Sequence, residues 1–172
     1  MKTNRLSINL VALSVAAGFI ALVGAPLQSL AATAAANATA TVVTPIAIAK
    51  NADLAFGKFV ANTGGTVVIG TTGARSQTGT VVLFNQGSTQ NAASFAVTGE
   101  GAYTYAVTLP STATITSGAN TMAVGTFVSN PSGTGTLTAG AQTLLVGGTL
   151  TVASGQAPGT YTGSYNVSTD YN

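Results

Sequence analysis

The sequence predicts an all-β fold, a single immunoglobulin-like antiparallel β-sandwich behind a signal peptide, and three observations carry that expectation. β-Branched residues dominate the chain after its first forty residues, apolar and small polar residues alternate with a period of two, and Gly, Asn and Pro clusters interrupt the pattern at short intervals. The alternation is clearest in Phe95-Ala96-Val97-Thr98-Gly99, in Tyr103 through Leu109, and in Tyr161 through Tyr171. One apolar face and one small polar face is the pattern of a strand packed on one side only, as antiparallel sheets allow.

Residues 1–31 read as the signal peptide. Lys2 and Arg5 precede an apolar run from Leu10 to Val23, then Gly24-Ala25-Pro26 and the small residues of Ser29-Leu30-Ala31, which place the cut between Ala31 and Ala32. The run is shorter than the roughly 20 apolar residues of a spanning helix, so no stable membrane span is expected in the mature chain. Residues 32–172 then form one domain, with an N-terminal extension over about 32–44. Strands are expected at 38–49, 54–60, 65–71, 78–84, 93–99, 103–109, 121–129, 134–138, 142–152 and 160–170. Turns fall between them, at Asn62-Thr63-Gly64-Gly65, Gly73-Ala74-Arg75-Ser76, Asn85-Gln86-Gly87-Ser88, Gly99-Glu100-Gly101, Ser117-Gly118-Ala119-Asn120, Asn130-Pro131-Ser132-Gly133 and around Pro158.

The extension begins with a low-complexity Ala/Thr stretch. From there Ala38, Ala40, Val42, Thr44, Ile46 and Ile48 form a mostly apolar stripe at the spacing of one strand face. Two readings follow: a frayed terminus leading into the first strand of the domain, or an interaction strand that pairs with the open sheet edge of a neighbouring subunit.

Composition narrows the chemistry. The chain has five Lys or Arg, three Asp or Glu, and no His, Cys or Trp, which removes imidazole bases, thiolate nucleophiles, soft metal sites and disulfides. After cleavage Lys50, Lys58 and Arg75 balance Asp53, Glu100 and Asp170. A neutral domain lacks the basic footprint of a nucleic-acid binder, and a surface so poor in charge favours self-association.

No motif points to catalysis, a cofactor or a metal. The three acids are far apart in sequence and support no carboxylate dyad. Gly57-Lys58 is followed by Phe59 rather than Ser or Thr, so it is no P-loop, and Gly99-Glu100-Gly101 fits a hairpin turn better than a dinucleotide fingerprint. A Lys-Asn cross-link assisted by an acid would need Lys50 or Lys58 buried against Glu100. The aromatics, Phe56, Phe59, Phe84, Phe95, Tyr103, Tyr105, Phe127, Tyr161 and Tyr165, fit core filling better than a sugar-stacking platform. Thr136-Leu137-Thr138 and Thr149-Leu150-Thr151 hint at a flat hydroxyl-rich face, but without a regular repeat.

Several segments in order, Ala-Thr-Ala-Thr-Val-Val-Thr-Pro-Ile at 38–46, Asp53 to Gly57, Gly65 to Val68, Ala93 to Gly99, Met122, Leu145 to Leu150, and Gly159 to Gly163 with Val167 and Tyr171, resemble the bacterial secreted family known as domain of unknown function 4402. The resemblance covers most of the mature chain and implies architecture rather than an activity. The closing Gly-Thr-Tyr strand is also similar, more weakly, to the last strand of spore-coat-U-like and chaperone-usher pilins, many of which carry a disulfide that this chain lacks. Such pilins assemble by lending an N-terminal strand to the next subunit.

The expectation is a non-enzymatic structural or adhesive surface subunit, secreted to the periplasm, outer surface or medium, pilin-like, and assembling through the stripe at 38–48. Its partners would be copies of itself, other surface subunits or a periplasmic chaperone. The alternative is a monomeric β-sandwich module that binds carbohydrate or protein.

Overall fold

The structure is a computed structural model that describes residues 31–172; residues 1–30, which hold the basic and apolar regions of the expected signal peptide, lie outside the described residues. The chain divides into Met1–Ala40, whose described part is exposed and without strand, and Thr41–Asn172, which holds every strand described below.

The largest sheet is antiparallel and seven-stranded. It contains β1 (Ala47–Ala52), β3 (Gly65–Ile69), β4 (Arg75–Gly79), β6 (Ala93–Thr98), β8 (Thr112–Ser117), β9 (Asn120–Asn130) and β11 (Ala141–Val152). β11 is its axis. Ala141–Val146 pair with β6, Gly148–Val152 pair with β3, and Leu145–Thr151 pair with β9. Leu145, Val146 and Thr149 to Thr151 are therefore bonded on both sides, so β6 and β3 share one edge of β11 end to end and β9 takes the other.

The handover falls at Gly147-Gly148. A Cβ on Gly147 would run into the carbonyl oxygen of Ile69, so the close approach of β3 requires glycine there. Opposite it, β9 uses three steps, Gly125 to Val128, where β11 uses two, Gly147 to Thr149. This bulge holds Thr126 at φ 47° and shifts the inward positions from Met122 and Val124 to Phe127. Bulge and glycine pair together curl the sheet, as such features do at sandwich corners.

Two smaller sheets cover the inner face. One comprises β10 (Thr134–Thr136), β7 (Thr104–Thr108) and β12 (Ser168–Tyr171), and the other β2 (Lys58–Val60) and β5 (Val82–Phe84). The fold is thus the all-β antiparallel sandwich that the sequence predicts, with no helix among the described residues. The three-stranded sheet closes a core around Val97, Leu144, Val146, Leu137 and Tyr105. Tyr105 is wholly buried and donates its phenol proton to Gln142 Oε1 at 2.7 Å, as a buried hydroxyl must. The second core joins Val67, Ile69, Met122, Val124, Leu150 and Val152 to Phe56 and Val81, and Leu54 and Phe127 touch both cores.

Arg75 fastens the β2–β5 pair to β4. Its guanidinium donates to the carbonyls of Phe56 (3.0 Å), Lys58 (3.3 Å) and Phe84 (2.7 Å), to Asn85 Oδ1 (2.9 Å) and to Ser88 Oγ (3.3 Å). The planar fork of donors explains why Arg occupies the position.

The outer face of the large sheet carries no charge. Strand register lines up Thr114, Ala123, Thr151, Thr66 and Thr78 in one row and Thr112, Gly125, Thr149, Val68 and Ser76 in the next. Thr66 and Thr78 share a hydroxyl hydrogen bond of 2.7 Å.

Several sequence expectations change, among them the strand expected at 54–60, which shortens to β2, Lys58–Val60, with Ala55 in a single bridge to Asn91. The strand expected at 38–49 begins only at Ala47, because its partner β6 ends at Thr98 and leaves residues 38–46 with nothing to pair. The strand expected at 78–84 is two, β4 and β5, separated by a turn that follows Gly79 at φ 71°. The strand expected at 160–170 breaks into a single bridge between Thr162 and Thr116 and the separate β12, because the chain crosses from the large sheet to β7 between them. β8, Thr112-Ala113-Thr114-Ile115-Thr116-Ser117, was not expected as a strand, although its alternation is strict.

Candidate functional site

Phe56, Phe59 and Tyr161 pack over the half of the sheet built from β8, β9 and the end of β11, leaving Met122, Val124 and Leu150 almost wholly buried. There the molecule holds a groove of about 1090 Å³. Its floor is the inward face of three strands: Ala113 and Ile115 from β8, Met122 and Val124 from β9, and Leu150 from β11. Period-two alternation places these apolar side chains on one face. One wall is the loop Leu54–Gly57 with Phe59 and Val60 of β2, and the other is the strap 155–165.

The strap follows β8 without zipping onto it. Thr116 and Thr162 exchange both backbone hydrogen bonds, at 2.8 and 3.0 Å, and this bridge is isolated. Gln156 Nε2 donates to Thr121 O at 3.2 Å and to the Tyr161 phenol at 2.8 Å, and that phenol donates to Ala157 O at 2.8 Å. Gly159 and Gly163 lie so near Ser117 and the Thr114 carbonyl that side chains would collide there. At the far end of the wall Tyr165 packs against Phe127, ring centroids 4.9 Å apart. Burial, and secondarily the charge of Asp53, push its phenol up to about 12. Lys50 and Asp53 close the rim as an exposed ion pair of 2.7 Å.

At Thr44 the chain is fastened by residues from two distant segments. Glu100 Oε2 accepts the Thr44 backbone N–H at 3.0 Å, while the Tyr171 phenol donates to Thr44 O at 2.9 Å and accepts the Glu100 N–H at 2.6 Å. The Thr44 hydrogen bonds hold the Glu100 carboxyl below its ordinary value of 4.5. Gly99 leaves room for the Tyr171 ring.

The stripe expected to act in assembly is divided by this latch. Ala38, Ala40 and Val42 are exposed, Val42 at 97%, and Thr44 is the latched residue. Ile46 and Ile48 pack against the Tyr105 core of their own domain. Sequence reasoning missed the latch because residues 44, 100 and 171 meet only through the fold. The geometry for a Lys-Asn cross-link is not present, since Lys50 and Lys58 are exposed and Glu100 binds Thr44. Most of the aromatics fill the cores as expected, but Phe84 and Tyr103 are about half exposed, at 48% and 52%. Among the described residues no three His, Cys, Asp or Glu side chains gather as metal ligands, and no helix is long and apolar enough to cross a membrane.

The family model for a domain of unknown function, DUF4402, matches residues 46–171. The chain belongs to this family. The match spans β1 through β12, so the groove, the strap and two of the three latch residues, Glu100 and Tyr171, lie inside the DUF4402 domain, and Thr44 lies just before it. No curated protein and no solved structure matches the chain.

Proposed function

We propose that this DUF4402 protein is a non-enzymatic, secreted structural or adhesive subunit of the cell surface, pilin-like, which assembles by lending its N-terminal segment to another subunit. The carrying observation is the segment upstream of Thr44. Residues 31–43 are exposed, uncharged and free of strand pairing, yet they repeat small apolar residues at strand spacing and end in Val42 and Val43. Exposed apolar side chains on an unpaired chain favour addition to another subunit's sheet. The neutral mature charge supports the same reading, because no like-charge repulsion opposes self-association. The test compares the exported chain with a variant lacking residues 33–43, by size-exclusion chromatography and negative-stain microscopy. Assembly by the complete chain alone is the expected result, and equal monomers at high concentration would refute it.

A second reading, a monomeric module for carbohydrate or protein, is favoured by the aromatic walls of the groove, Phe59 on one side and Tyr161 and Tyr165 on the other. Glycan-array binding lost in Tyr161→Ala, with no polymer formed by the parent chain, is the outcome that would select it.

A further inference from the structure

We infer that β4 is a self-pairing edge: two copies of this chain join β4 to β4, antiparallel and in register about Gln77, so that their large sheets become one. The contact is separate from the exposed arm and does not depend on it.

The first argument is which edges stand open. The large sheet ends in three strands, β1, β8 and β4. β1 carries Lys50 and a register shift between Lys50 and Ala52, two devices that keep an edge from accepting another strand. The strap already lies along β8, through the Thr116–Thr162 bridge and the close approach of Gly163 to the Thr114 carbonyl. β4 has neither protection. It contains no Pro, Lys or acid, its ladder with β3 runs without a shift from Arg75 to Gly79, and Ser76, Gln77, Thr78 and Gly79 are all exposed. Its one charge, Arg75, is drawn inward onto five acceptors.

The second argument is phase. Alternate residues of an antiparallel strand turn N–H and C=O toward one neighbour, and the residues between them turn the other way. Two hydrogen bonds flank the β3–β4 ladder, Thr80 N–H to Gly64 O at 3.0 Å and Gly70 N–H to Ala74 O at 2.9 Å, and they put Ser76 and Thr78 in the phase that faces β3. Arg75, Gln77 and Gly79 therefore offer their backbone groups outward, and among the described residues no strand pairs with them there. A run of three outward residues is self-complementary about its middle. Gln77 exchanges both bonds with Gln77 of the second copy, and each Arg75 faces the other copy's Gly79, which has no side chain to obstruct it.

The third argument is the side chains. In this register Ser76 lies directly across from Thr78 of the second copy, as Thr78 lies across from Thr66 within one chain, where their hydroxyls bond at 2.7 Å. The hydroxyl row of the outer face thus continues over the junction, and such cross-strand Ser and Thr pairs favour the ladder. On the opposite face the two Gln77 amides meet, each with a donor and an acceptor for the other. No ion leaves water. Pairing uses up the edge, so the contact is isologous and closes at two copies. A five-residue strand makes it narrow, and the pair belongs to the weak, transient class.

A covalent trap tests the register. The chain has no Cys, so full-length Ser76→Cys and Thr78→Cys proteins each carry a single thiol and can be oxidised separately and as a mixture. Across the junction position 76 of one copy lies about 4.5 Å, Cα to Cα, from position 78 of the other, whereas like positions lie on a diagonal of roughly 7–8 Å. The mixed disulfide should therefore form at least about tenfold faster than either homodimer. Gln77→Pro removes the outward N–H without touching the β3 ladder, and Gln77→Lys sets two like charges across the axis. Either one, added to both thiol proteins, should abolish the preference while the far-UV circular dichroism stays unchanged, and deletion of residues 33–43 should leave the preference intact. Equal rates in the mixture and in the separate proteins would overturn the inference, as would a preference that survives in folded Gln77→Lys. Loss of the preference on deleting the arm would overturn it too, by assigning the contact to the arm, whereas failure of arm-dependent assembly with the preference retained would refute the assembly reading alone.

Discussion

Thr44, Glu100 and Tyr171 show how three residues of ordinary composition become a device once the fold brings them together. Because the Thr44 hydrogen bonds lower the Glu100 pKa, they favour the latched state above its ordinary value of 4.5, and that preference is lost as pH falls through the depressed value. Hydrogen exchange at the Thr44 amide should therefore accelerate, beyond the intrinsic pH effect, as the pH is lowered from 4.5 through the depressed value. Glu100→Gln should exchange fast at every pH, and a Thr44 amide equally protected in both proteins would show that the carboxylate does not hold it. A second residue acts through backbone strain alone. Thr126 is exposed and β-branched, yet stands at φ 47°, a conformation that costs an L residue roughly 1–2 kcal/mol. Thr126→Gly should raise the melting temperature by a few degrees, since relief of that strain outweighs the added chain entropy of about 0.5–1 kcal/mol; an unchanged or lower midpoint would contradict it.

At the scale of elements, the corner between β6 and β3 depends on two adjacent glycines that the structure separates by role. A Cβ at Gly147 meets backbone at Ile69 and Gly70, which cannot yield, whereas at Gly148 the nearest atoms are side-chain ends of Leu54 and Phe127 at 3.3 to 3.5 Å. Gly147→Ala should cost about 2–4 kcal/mol in urea unfolding and Gly148→Ala clearly less; equal costs would remove the corner argument. Arg75→Met should likewise destabilise by about 2–3 kcal/mol, because it leaves the Phe56 and Phe84 carbonyls without their donor. Its exchange signature should concentrate in Val82–Phe84. Arg75→Lys should recover little of this, having no fork to span five acceptors.

The legibility of these elements in the sequence follows the same physics. β6, β7, β9 and β11 were readable because both of their faces are decided locally, by alternation and bounding turns. The start of β1 was not readable, because a strand ends where its partner ends, and that partner lies some fifty residues away. β12 was over-extended for the related reason that alternation continues through Tyr161–Tyr171 while the chain changes sheets. The bulge at Thr126 left only a change of phase between Val124 and Phe127, visible once the core is known. The groove was not readable at all, since its floor comes from three strands and its walls from segments that meet only through the fold.

For the whole molecule the decisive property is where charge is absent. Three positive and three negative side chains remain in residues 32–172, and the outer face of the large sheet has none. If assembly proceeds through the uncharged arm, its midpoint should move less than about twofold between 0.05 and 0.5 M salt, because the arm has no charge to screen. A steep salt dependence in light scattering would instead locate the contact at the charged rim. The latch adds a mechanical dimension. A pull on the arm enters the domain at Thr44, where it is shared with the β6–β7 turn through Glu100 and with the last strand through Tyr171. What passes on to β1 acts along the strand axis, so its ladder with β6 is loaded in shear, with all its hydrogen bonds resisting at once, rather than peeled open one bond at a time. A chain of such domains would bear tension through its strands.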